Sequence, residues 1–205
     1  MIKVGISGNR YSGTSYICRL FNQISIPVFD ADIVLKFIIS HDLITIDSIK
    51  AKLGDRIFTN GYIDPLKVKT KKDFDIIIDC AEYSLMKAYE NFSKKNKHSI
   101  YTIFNSAMLY ERGWNENMKY NISVFCPKVT RMERCKEVTK LKVSDIAYLL
   151  RNELDDTDKN KLGNFVIHNY EAGDPLTQVN DIDQRIIDKY LKSEQTEESI
   201  VLTHY

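Results

Sequence analysis

Eight residues near the start of the chain, Gly8-Asn9-Arg10-Tyr11-Ser12-Gly13-Thr14-Ser15, have the types and spacing to hold a phosphate. A loop bounded by two glycines and followed by a hydroxyl residue can wrap an anion in backbone N–H groups, and a helix starting behind it aims its positive dipole end at the same spot. In the full pattern, G-x-x-x-x-G-K-[ST], a lysine reaches the outer phosphates and the hydroxyl holds magnesium. Here Thr14 stands in the lysine's place. Without that side chain the pattern alone fits a structural turn as well as it fits a nucleotide site. Phosphoryl transfer is mostly positioning and charge neutralisation, so cations are the parts it can least lose. One preorganised donor to developing charge is typically worth ~10² to 10³ in rate. Arg10, inside the loop, is the nearest substitute cation, because a guanidinium can grip phosphate oxygens in a bidentate fashion.

Other candidate chemistry is sparse. Cys18, Cys80, Cys126 and Cys135 show no CxxC spacing and sit mostly in apolar-periodic stretches, which suits reduced core thiols. His41, His98, His168 and His204 are far apart and form no HxxxH pair. Lys128, Arg131, Arg134, Lys136, Lys140 and Lys142 make the clearest basic stretch, opposed only by Glu133 and Glu137. Charge runs of this kind are usually a solvated helix face.

The elements that must carry the loop are legible around it. Ile2 to Ser7 reads as a strand running straight into the glycine turn, and Ile17, Leu20, Phe21 and Ile24 put an apolar face on the helix behind it. Strand, tight loop and helix open a βαβ unit. Ile26-Pro27-Val28-Phe29 predicts a short buried strand ending in Asp30-Ala31-Asp32, and either aspartate could cap the next helix. From Asp42 to Lys97 the texture is helical, with an Asn60-Gly61 turn and a long helix from Asp73 to about Ser93, and no strand is needed there. Strands resume at Ile100 to Phe104, Ile122 to Cys126 and Phe165 to Ile167, short runs typical of a buried parallel sheet. A last helix spans Pro175 to Leu191; beyond Lys192 a loose tail is expected, with Ile200-Val201-Leu202 as an optional edge strand. Five strands alternating with helices argue a doubly wound α/β sheet with a helical insertion in the middle third.

The whole chain supports a single compact protein. Its 205 residues are 43% apolar and 28% charged, enough for a full core. Lys plus Arg (29) nearly balance Asp plus Glu (28), so no net field drives the molecule onto nucleic acid or a membrane. No run approaches ~20 apolar residues and the N-terminus lacks a cleavable leader, so a cytoplasmic protein is expected. Partners are expected to be small molecules, with no nucleic acid and no membrane. Oligomeric state is not legible.

Read through Asp32, the chain resembles the dephospho-CoA kinase family of P-loop kinases. Ser12-Gly13 and Ser15 keep their places in that family's G-x-x-x-S-G-K-S, and Ile26-Pro27-Val28-Phe29-Asp30-Ala31-Asp32 matches its I-P-V-(I/F)-D-A-D almost letter for letter. More weakly, Asn60-Gly61-Tyr62-Ile63-Asp64 resembles its D-G-x-L-D turn, Met108-Leu109-Tyr110-Glu111 its P-L-L-F-E segment, and Phe165-Val166-Ile167-His168-Asn169 its V-I-D-N segment near the adenine. The resemblance implies a three-layer α/β/α fold with a five-stranded parallel sheet. Its core would be 1–41, 99–126 and 160–192, with a helical acceptor-binding insertion at 42–98 and a lid at 127–159. It implies ATP and Mg²⁺ as cofactors and a small nucleotide as acceptor. Asp32 would be the base facing the acceptor hydroxyl. Gly8 through Ser15, with Arg134 from the lid and Asn169 beside the adenine, would bind the nucleotide, and Ser15 and Asp30 would meet the metal.

The chain also departs from the family. Thr14 makes a degenerate Walker A motif lacking the lysine, and Tyr11 is bulky where the family is small, so it is expected to occupy part of the phosphate pocket. No His-Pro pair stands near Cys80-Ala81-Glu82. The family's lid arginine falls near Leu149, with Arg151 two residues away as its substitute, and the Q-x-P-x-x-x-K stretch survives only as Glu153 to Lys159. The expected function is ATP-dependent phosphorylation of the 3′-hydroxyl of dephospho-CoA or a related nucleotide, with activity impaired or altered. The alternatives are an inactive binding or regulatory protein on the same fold, and a nucleoside monophosphate kinase.

Overall fold

The computed structural model describes residues 1–139, 154–171 and 173–202, with side chains through 193. The chain divides into two compact units, one of residues 1–28 with 97–205 and one of residues 29–96. The sequence pattern started the insertion later, at 42.

A five-stranded parallel sheet has the order β2-β5-β1-β6-β7, where β1 is Ile2–Gly8, β2 Val28–Asp30, β5 Tyr101–Asn105, β6 Tyr120–Phe125 and β7 Phe165–His168; every strand but β2 lies wholly in the first unit. Val4 lies opposite Ile103 on one side and Tyr120 on the other, placing β1 in the sheet's middle. Both its faces are buried, as its near-continuous apolar run requires. Val4 and Ile6 point toward α1 (Thr14–Gln23) and α7 (Pro175–Leu202), in a core with Ile17, Leu20, Phe21, Val179, Ile182 and Ile186. Burying each such side chain contributes about 1.5–3 kcal/mol. On the opposite face a side chain at Gly5 would strike Leu109 and Asn121, and Ser123 of β6 donates to the Lys159 carbonyl of α6 (Asp156–Leu162) at 2.8 Å. Helices on both faces make the three expected layers. Because the strands are parallel, the turns after Gly8, Phe125 and His168 gather at one edge of the sheet, where open α/β sheets bind ligands.

The second unit is mainly helical: α2 (Ala31–His41), α3 (Leu43–Leu53) and α4 (Lys71–Lys95). Ile46, Ile49, Leu53, Ile57, Phe58 and Ile77 form its own small core. Phe29 stacks obliquely on Tyr89 and Phe92, ring centres 5.3 and 5.4 Å away.

Two expectations are corrected. The Asn60-Gly61 turn is flanked by a two-residue antiparallel ladder, β3 (Phe58–Thr59) and β4 (Tyr62–Ile63), where no strand was expected. Positive φ at both turn residues, 52° and 84°, is the geometry that pairs the flanking residues of a tight hairpin. The final helix runs on to Leu202, so Ile200-Val201-Leu202 is neither loose nor an edge strand. Among the described residues no helix is long and apolar enough to cross a membrane. All four cysteines are free thiols, and burial pushes the Cys126 thiol above its usual range.

Candidate functional site

The loop between β1 and α1 closes on itself and is gripped from outside. Ser12 N–H donates to Asn9 O at 3.0 Å, tightening the ring. Gly13 sits in the left-handed region at φ 89° and starts α1 with no side-chain cap. A Cβ at Gly13 would also collide with the Asn169 amide, so only glycine fits. Tyr16 and Ile17 N–H both turn to Gly13 O, at 2.9 and 3.2 Å. The N–H groups of Thr14 and Ser15 begin the helix and have no intrahelical acceptor. The first turn carries no acidic residue to take up the dipole. An uncapped helix start behind a glycine ring is the physical requirement for an anion cradle.

Three outward carbonyls set the ring's orientation. Arg10 O accepts from Arg131 Nη1 at 3.3 Å, Tyr11 O and Ser12 O accept from Arg134 Nη1 at 3.3 and 3.2 Å, and Ser12 O also accepts from Asn169 Nδ2 at 2.7 Å. In a trans peptide the carbonyl and the following N–H point in opposite directions. Pinning the carbonyls of Arg10 and Ser12 outward therefore turns the N–H groups of Tyr11 and Gly13 away from those donors.

The grip comes from three elements. Arg131 and Arg134 stand on α5 (Lys128–Thr139), which starts directly after β6. Arg131 is buried and donates Nε to Cys126 O at 3.2 Å and Nη2 to Asp156 Oδ2 at 3.0 Å. Asp156, at the start of α6, uses its other oxygen to accept from Asn9 Nδ2 at 2.7 Å, and Asn9 Nδ2 also donates to Leu154 O at 3.0 Å. Arg134 Nη2 donates to Asn169 O at 2.9 Å, tying in the turn after β7. Lys159, one turn along α6, is buried and pairs with Glu111 at 2.8 Å, tying that helix to the turn that follows β5.

Several expectations are met differently. Tyr11, at φ 64°, packs against Cys135 and Met132 on α5, so its bulk serves the outer grip; the expectation that it fills part of the phosphate pocket is corrected accordingly. Thr14 Oγ1 lies 3.1 Å from Ser12 Oγ, and both hydroxyls lie so close to Gly8 that any Cβ there would clash. Ser15 is exposed at the helix start, and Arg10 is exposed in the loop. Arg131 and Arg134 are not on a solvated face: their charges lie beside the loop, committed to protein carbonyls and Asp156. Arg151 lies outside the described residues, as do Lys140 and Lys142.

The structure thus gathers Gly8 through Ser15 with Arg134 and Asn169 in one unit. Asp30 and Asp32 belong to the other unit. Of that pair Asp30 caps α2, its Oδ1 accepting from Ile33 N at 3.0 Å, and Asp32 lies in the helix's first turn. Among the described residues no cluster of three or more His, Cys, Asp or Glu could hold a metal. Sequence reading missed Asp156 and the buried role of Arg131. The only available signal was an arginine inside a helix that also carries apolar Met132 and Cys135.

Comparison with known proteins agrees with this picture. The family model for dephospho-CoA kinase matches residues 2–70. Over 173 residues the chain is 22% identical to dephospho-CoA kinase of Bacteroides fragilis (strain YCH46), spanning 82% of this chain and 84% of that one. The structure of TT1252 from Thermus thermophilus is similar with a TM-score of 0.74 at 17% identity, over 92% of this chain and 97% of that one. Dephospho-CoA kinase from Campylobacter jejuni gives 0.62 at 18%, over 90% and 96%. The structural likenesses establish the P-loop kinase fold.

Proposed function

From the chain's similarity to the dephospho-CoA kinase family, we propose that it binds ATP with Mg²⁺ in the loop after β1 and transfers the terminal phosphate, at a reduced rate, to a hydroxyl of a nucleotide-like acceptor, dephospho-CoA first. The observation that carries this reading is the uncapped start of α1 behind a ring two of whose larger side chains are drawn to its outside, Tyr11 onto α5 and Asn9 onto α6. The cradle fits a phosphate because backbone N–H groups and the helix dipole need no side chain to act. Ser15, exposed at the helix start, would hold Mg²⁺, which would supply charge neutralisation between the phosphates. By the same resemblance, Asp32 would accept the proton of the acceptor hydroxyl.

The reduced rate follows from Thr14. Its hydroxyl pairs with Ser12 Oγ and carries no charge, and the two arginines beside the loop face its carbonyls. Those same observations favour a second reading, a protein that binds nucleotide and transfers nothing.

One experiment separates them. Purified protein is assayed for ADP formation with ATP, Mg²⁺ and dephospho-CoA, as wild type, Thr14→Lys and Asp32→Asn. The kinase reading expects slow acceptor-dependent turnover, a gain of about 10²-fold or more for Thr14→Lys, and loss in Asp32→Asn. Nucleotide binding with no turnover in wild type or Thr14→Lys establishes the second reading. Absence of binding to ATP by thermal shift, with and without Mg²⁺, removes both.

A further inference from the structure

We propose that Arg131 and Asp156 are positioning residues for phosphate binding: an ion pair between the buried Arg131 and the partly exposed Asp156, reaching the loop through Asn9 and the Arg10 carbonyl, holds the backbone N–H groups in their anion-facing orientation. The inference rests on the nucleotide-binding reading above, and it makes a separate claim about how this chain achieves it.

Arg131 is the only described side chain that ties the end of β6, the loop and α6 together, through Cys126 O, Arg10 O and Asp156. Three donors in one rigid plane fix three segments relative to one another, which an ammonium on a flexible stem does not do. Asp156 has one oxygen on Arg131 and one on Asn9. The carboxylate thereby couples the charge of the guanidinium to the first residue after Gly8. Asn9 has no rotational choice: with Nδ2 directed at Leu154 O and Asp156 Oδ1, its Oδ1 is buried with no hydrogen-bond partner among the described residues. A buried amide oxygen left unbonded costs free energy. That cost is tolerated because the amide is committed to holding the loop, the pattern expected of a functional constraint.

The location gives the pair its consequence. In a loop with a lysine, phosphate affinity is shared between a mobile cation and the backbone. Here Thr14 leaves the backbone with nearly the whole task. Backbone donors act on a ligand only when preoriented, since any rotation of the Arg10–Tyr11 peptide swings a carbonyl, a repulsive group, toward the phosphate. Arg131 prevents that rotation by holding Arg10 O on the outside.

The test compares ATP affinity with stability in wild type, Arg131→Lys, Asp156→Asn, Asn9→Ala and the Asn9→Ala/Asp156→Asn double variant, by calorimetry at a temperature where far-ultraviolet circular dichroism shows each of them folded. The expected result is a rise in Kd for ATP of about 10-fold or more in each single variant, with the double variant no worse than its worse parent, because both substitutions break one linkage. Should Arg131→Lys or Asp156→Asn fail to fold, Asn9→Ala leaves the ion pair intact and decides alone. A drop in Tm with ATP affinity held within about 2-fold of wild type overturns the inference and leaves the nucleotide reading standing. Wild type that binds no ATP overturns both.

Discussion

Gly13 is the residue on which the loop's geometry is most concentrated. Its φ of 89° is strained for any L side chain, and the Asn169 amide occupies the space a Cβ would need. Gly13→Ala is expected to cost about 1–3 kcal/mol of stability from the backbone alone, and to displace Asn169, whose Nδ2 holds Ser12 O. A thermal melt and an ATP titration check it; an alanine variant with unchanged Tm and affinity would show that the loop does not need its left-handed hinge. Gly8, Gly13 and Ser15 were legible as a loop because their spacing along the chain is the chemistry. Arg131 and Asp156 were not, since they are 25 positions apart and each alone reads as an ordinary surface charge. Burial is a property of what packs around a residue, and nothing local to Arg131 states it.

At the scale of elements, helix ends follow elementary rules that can be tested by acid. Thr70 caps α4 by accepting from Asp73 N at 3.0 Å, and Arg56 pairs with the Asp73 carboxylate. Arg56 and Thr70 together hold the Asp73 carboxyl below the usual carboxylate range. A group whose pKa is lowered on folding adds stability that is fully present above its unfolded value, about 3.9, and is lost as pH falls through the folded value. Asp73→Asn is therefore expected to lower Tm at pH 7, with the gap to wild type closing as pH drops below about 4. A gap that stays constant from pH 7 to pH 3 contradicts the assignment. The long helices, the strand order along the chain and the turn at Asn60-Gly61 were readable from periodicity and turn residues. The β3–β4 ladder and the last turns of α7 escaped, because a two-residue strand has no period and a polar helical extension has no apolar stripe.

At the scale of the molecule, the two units carry separate cores, one around β1 and one around Ile49. Ile49→Ala leaves a cavity in the second and is expected to cost about 2–5 kcal/mol, while ATP affinity, measured where the protein is still folded, changes by less than about 2-fold because every residue of the cradle belongs to the first unit. Calorimetric melting with and without ATP measures both quantities. An affinity loss matching the stability loss would mean that the cradle depends on the helical unit. By itself the sequence determined the order of strands and helices, the parallel sheet and the position of the glycine-bounded loop, all of which follow from short-range spacing: glycines that permit a turn, apolar residues that repeat with the pitch of an element. Only the tertiary structure decided what holds the loop. Charges that look solvated along the chain are buried once α5 and α6 close over it, and the fate of a carbonyl or a guanidinium depends on partners that chain spacing does not encode.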